Sequence, residues 1–97
     1  MAKQDKYTKS AKGQPCQVRI PSVCNHNPKT TVLAHLNGAG MAFKHLSIHG
    51  AYACSACHTW LDGGYTKETD RAMRDLWHLE AVIRTQTIMV NEGILKL

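Results

Sequence analysis

The chain has 97 residues, 12 Lys or Arg against 7 Asp or Glu for a net charge of +5, and 43% hydrophobic residues. That length makes one small domain whose apolar core removes only about 60–70% of the unfolded surface from water, so a metal staple would add stability that packing alone does not. No apolar run approaches the roughly 20 residues of a transmembrane helix, and the polar start from Met1 to Lys6 lacks the apolar stretch of a secretory leader.

A cytoplasmic setting is therefore expected, in which the four cysteines serve as thiolate ligands rather than disulfides. The charge is uneven. Residues 1–66 carry seven Lys or Arg (Lys3, Lys6, Lys9, Lys12, Arg19, Lys29 and Lys44) against Asp5 and Asp62 alone. Such a surface attracts polyanions by counterion release, without sequence preference.

In chain order, residues 1–14 are basic with no apolar period and read as a flexible arm, leaving residues 15–97 as the single domain. Cys16 and Cys24 enclose a strand-like run turned by Pro21, which has the look of a zinc knuckle with a seven-residue spacer. Residues 30–36, rich in β-branched and apolar types, predict a strand that carries His35. The glycine-rich run 37–40 breaks it, a loop follows to about Ser47, and residues 48–53 predict a second, shorter strand. Ser55 is a suitable N-cap for a short helix stopped by Gly63 and Gly64. Thr66 then opens a long helix to about Asn91, with Gly93 as its stop. Its expected packing stripe is Met73, Leu76, Trp77, Leu79, Ile83 and Val90, with Asp70–Arg74 and Glu80–Arg84 paired on the solvent side.

The chemistry concentrates around Cys54-x-x-Cys57-His58, followed by Asp62. A Cys-x-x-Cys pair is half of a tetrahedral zinc site, and Cys16 and Cys24 can supply the other half. On a helix, His58 and Asp62 sit one turn apart on one face, and an imidazole beside a carboxylate suits a second, catalytic cation. His26, His45 and His49 are expected to face solvent, and His78 to be structural. Lys44 and Arg19 are candidates for phosphate contact.

The order of these pieces resembles the HNH or His-Me finger nucleases. The similarity is closest to the small prophage nucleases of the YbcO-like family, related to a RecA-dependent phage nuclease. It is carried by CQVRIPSVCN at residues 16–25, VLAH at 32–35, ACSACH at 53–58, RTQ at 84–86 and EG at 92–93. The resemblance implies an α+β fold: a small zinc-stapled ββα-metal (His-Me finger) core with a long C-terminal helix. It further implies a phage or prophage endonuclease that cleaves DNA phosphodiester bonds with a divalent cation, Mg²⁺ or Mn²⁺. His35 matches the general base, His58 the ligand of the catalytic cation, and Asp62 a further ligand or a group just behind it. Cys16, Cys24, Cys54 and Cys57 match the structural zinc cysteines.

Two departures bear on that picture. Ala34 stands where many HNH enzymes place an acidic metal ligand, and the middle asparagine of the motif is missing; Asn37 and His49 are the nearby polar residues. A cation with so few acidic ligands would have its shell completed by substrate phosphate. The expected partners are DNA, read with little sequence specificity, and a phage or host recombination protein, with no membrane. The alternative is a non-catalytic zinc-binding module that holds DNA in phage recombination or replication.

Overall fold

A computed structural model describes residues 5–36 and 46–97. The loop expected at 37–46, with Asn37, Lys44 and His45, and the first arm residues, including Lys3, fall mostly or wholly outside the described residues. The chain is a small α+β structure: helix α1 (Lys6–Ser10), strands β1 (Val32–His35) and β2 (Gly50–Ala53), helix α2 (Ser55–Asp62) and a long helix α3 (Arg71–Asn91). Among the described residues no helix is long and apolar enough to cross a membrane.

The two strands pair antiparallel, from Val32 opposite Ala53 to His35 opposite Gly50. An isolated two-stranded hairpin is marginal in water, so both of its faces are covered. Ala34, Ala51 and Ala53 pack with Cys54, Cys57, Trp60, Leu61, Ala81 and Val82. Leu33 and Tyr52 pack on the other side with Ala11 and Met89. Both strands are shorter than expected because flanking residues enter 3-10 turns, Pro28–Thr30 before β1 and Ser47–His49 before β2. Gly50 is needed sterically: a Cβ there would lie 2.6 Å from Leu33 Cγ.

Residues 6–10, inside the stretch read as an arm, are helical. A five-residue helix has no stability of its own, and α1 is held by its neighbours. Asp5 caps it by accepting from Thr8 N at 2.9 Å, Ser10 Oγ lies 2.7 Å from Tyr52 OH, and Ala11 is buried.

Helix α2 begins at Ser55, but its N-cap is Cys54, whose sulfur accepts from Cys57 N. Helix α3 starts at Arg71 rather than Thr66, because Gly64–Lys67 forms a 3-10 turn and Asp70 is the cap, accepting from Met73 N at 2.9 Å.

The packing stripe expected on α3 is corrected. Its inward residues are Arg74, His78, Ala81, Val82, Thr85 and Met89, while Leu76, Leu79 and Ile83 are exposed by 47%, 46% and 57%. Trp77 is partly buried and stacks on Trp60 at 5.6 Å between ring centroids. Polar residues are tolerated inside because each has a partner. Thr85 Oγ1 accepts from Tyr52 N at 2.9 Å, and Arg74 donates to Leu61 O at 2.7 Å. The solvent-side pairs are corrected too: Arg74 is buried and pairs with Asp75, and Arg84 donates twice to Gln17 O.

Candidate functional site

Two segments far apart in sequence deliver the cysteines to one place. Cys16 and Cys24 come from the loop ahead of β1, while Cys54 and Cys57 begin α2. Their four sulfurs all lie within 4.8 Å of one another, and none is in a disulfide. A tetrahedral zinc with Zn–S bonds of about 2.3 Å needs sulfurs about 3.8 Å apart; Cys24 Sγ and Cys54 Sγ are 3.8 Å apart. This cluster could hold a metal ion such as zinc.

Backbone amides aim at the same sulfurs. Arg19 N donates to Cys16 Sγ at 3.5 Å, Asn25 N to Cys54 Sγ at 3.5 Å and Cys57 N to Cys54 Sγ at 3.4 Å. To bring these amides round, Arg19, Ser22 and His26 take φ of 52°, 66° and 54°. Each such non-glycine residue costs on the order of 1 kcal/mol, a cost that a cation on the cluster would offset.

The thiols already compete for charge. The hydrogen bond with Cys57 draws the Cys16 thiol down to about 4. The same contact pushes Cys57 up, and burial pushes Cys24 up. Four thiolates this close need a cation between them. Among the described residues the cluster contains cysteines alone, so His58 does not replace one of them. His26 Nδ1 stands 3.7 Å from Cys24 Sγ at its edge.

The candidate catalytic residues fall into two groups. On α2, His58 Nε2 lies 3.5 Å from Asp62 Oδ2, both side chains substantially exposed. At the end of β1, exposed His35 contacts neither of them; its hydrogen-bond partner is Ser47, with Nε2 3.4 Å from Ser47 Oγ. Ser47 donates to Asp5 Oδ2 at 2.5 Å, and that bond holds the Asp5 carboxyl below its usual range. Because the Ser47 proton goes to Asp5, the tautomer that fits this line has His35 Nε2–H donating to Ser47 Oγ and the lone pair on Nδ1.

Sequence reasoning missed Ser47 and Asp5. Asp5 carries a weak local signal, since Asp is a favoured N-cap type; Ser47 has none. Arg19, expected as a phosphate contact, is exposed, and its guanidinium folds back on its own loop, donating from Nε to Cys16 O at 3.0 Å and from Nη2 to Gln17 Oε1 at 3.3 Å.

His78 is structural, as expected. Buried on α3, it donates from Nε2 to Ala34 O at 2.8 Å, steadying the strand beside His35. Burial pushes its pKa below the usual histidine value, so the folded chain holds it neutral. Its stabilising contribution is complete above the unfolded value of about 6.5 and is lost as pH falls below that. Urea midpoints should therefore fall between pH 7.5 and 5.5. His78→Gln, which keeps an N–H donor, should fall less over the same range; equal slopes would remove His78 as the cause.

Known proteins match nearly the whole length of the chain. The sequence profile of a family described as "Putative nuclease YbcO" matches residues 5–94. The chain is 42% identical over 98 residues to a protein of that name from Escherichia coli strain K12, covering 91% of this chain and 94% of the relative. A protein of the same name from Enterobacteria phage 82 matches with the same identity and coverage. A solved structure titled "Structure of a putative bacteriophage protein from Escherichia coli str. K-12 substr. MG1655" superposes with a TM-score of 0.74 at 41% identity, over 90% of this chain and 99% of that one. From the cysteine-bearing loop to the end of the long helix, this chain belongs to the YbcO family.

Proposed function

We propose that this protein is a divalent-cation-dependent DNA endonuclease of the HNH or His-Me finger kind, with a structural zinc on Cys16, Cys24, Cys54 and Cys57. The observation that carries this reading is the hydrogen-bonded line from Asp5 through Ser47 to His35. It presents an imidazole at a strand end with one nitrogen tied down and the other ready for a proton, which is what a general base requires. The printed names of the relatives support the nuclease class. The continuous β1–β2–α2 unit, with His58 and Asp62 on its helix, supports the HNH assignment.

His35 Nδ1 takes a proton from the attacking water, and the imidazolium so formed is held in place through Ser47 by the Asp5 carboxylate. His58 and Asp62 converge closely enough to share a hard cation, and Mg²⁺ or Mn²⁺ suits an imidazole, a carboxylate and otherwise oxygen ligands. Bound there, such an ion would supply Lewis-acid polarisation of the scissile phosphate and charge stabilisation of the leaving oxygen. Asp62 brings the only carboxylate on α2, so substrate phosphate is left to complete the coordination. The basic N-terminal two thirds supplies affinity for DNA without sequence choice.

A plasmid-nicking assay tests the proposal. Supercoiled DNA should relax with Mg²⁺ or Mn²⁺ and stay intact in their absence. No nicking of duplex, single-stranded or branched DNA with either ion would reject the enzyme and leave a zinc-binding module that holds DNA.

A further inference from the structure

We propose that the cavity between α1 and the Pro28–Thr30 turn is a cradle for a nucleic-acid sugar-phosphate backbone. Lys9, Lys12 and Lys29 engage the phosphates and Val32 lies under a sugar. This deepens the nuclease reading, on which it rests for the identity of the ligand.

The cavity is an open hollow of about 580 Å³, and among the described residues its ionisable lining is Lys9, Lys12, Lys29 and His58, with no carboxylate. Val32, exposed by 42%, forms an apolar part of its wall. Donor availability separates these lysines from the arginines. Arg19, Arg74 and Arg84 are spent on the carbonyls of Cys16, Leu61 and Gln17, and Arg71 faces Asp75. Lys6 lies over the Tyr7 ring, 5.2 Å from its centroid. Lys9, Lys12 and Lys29 are exposed, and their ammonium groups have no ion pair among the described residues.

Both walls are anchored. Lys9 on α1 and Lys12 in the turn just after it flank the Ser10–Tyr52 contact and buried Ala11, so both stand on a fixed base. On the other side, Thr30 Oγ1 accepts from Ser55 N at 3.1 Å, and Asn25 Nδ2 donates to Ser55 Oγ at 3.0 Å. Ser55 opens the helix that carries His58. A phosphate on Lys29 is thus held against the element that bears the candidate metal ligand. Unpaired cations around a hollow that also reaches His58 are what a phosphodiester strand needs on its way to the reacting centre.

The test is a fluorescence-anisotropy titration of the full chain against a labelled DNA duplex of scrambled sequence, at several salt concentrations and without added divalent ions. Each lysine changed to Gln should lower the slope of log affinity against log salt by about 0.9. Lys9→Gln/Lys12→Gln/Lys29→Gln should therefore lose about 40-fold of the affinity change between 50 and 200 mM salt. Lys67→Gln, outside the cavity lining, should leave the slope as in wild type, and all variants should keep the wild-type melting temperature. An unchanged slope in the triple variant overturns the cradle, as does an equal loss from Lys67→Gln alone. Failure here is distinct from failure of the nuclease reading. A chain that nicks DNA but keeps its full slope rejects only the cradle, and one that loses slope but never nicks rejects only the nuclease.

Discussion

His35→Ala is expected to lower divalent-dependent nicking by about 10²–10⁴-fold, the usual contribution of a general base. Fold, metal content and DNA affinity should stay near wild type, because His35 is exposed and its recorded bond is to Ser47 at the surface. Ser47→Ala should fall between the two, since it unties Nε2 but leaves the imidazole in place. His58→Ala should also reduce nicking, but added Mn²⁺ should recover part of the loss, because the side chain removed is a ligand rather than a base. A His35→Ala protein that unfolds or releases its metal would show the histidine to be structural and would move the base elsewhere.

Cys54→Ser is expected to cost the fold itself. Structural zinc contributes on the order of 10 kcal/mol in small domains, comparable with the whole of a typical domain's 5–15 kcal/mol. Cys54 also has several duties at once: it is fully buried, caps α2 and receives amides from Asn25 and Cys57. Protein purified without added zinc should carry one equivalent per chain, and the Ser variant should carry almost none and lack a cooperative thermal transition. Less than half an equivalent in wild type, with cysteines found paired by mass, would sink the zinc assignment.

The parts of the fold legible in the sequence are those with strong local signals. Ser55 marked the start of α2 to within one residue of its cap, Gly63 marked its end, and the β-branched run before His35 marked β1. Helix α3 was legible as a helix but not in its orientation. Leucine and isoleucine advertise a buried face, yet α3 lies on β2, where Ala51 and Ala53 leave room only for close-fitting side chains. There Ala81, Thr85 and a neutral His78 fit closely and find partners for their polar atoms. Binary patterning has no means of seeing that a threonine hydroxyl will meet a strand amide. Helix α1 was hidden for a related reason: five polar and basic residues carry no period, and their order comes from Ala11, Ser10 and Tyr52. The surroundings of His35 were illegible because Ser47 and Asp5 reach it only after the hairpin has formed.

The stacked indoles have a practical consequence. The chain has two tryptophans, and Trp60 on α2 and Trp77 on α3 lie nearly parallel, at 20° between planes, in the cluster that contains the cysteines. Trp60 is 3% exposed and its indole N–H has no hydrogen-bond partner among the described residues, an environment that favours emission at short wavelength. The protein thus carries a built-in optical reporter of the α2–α3 contact beside the thiols. Its emission should move to the red when a chelator removes the metal.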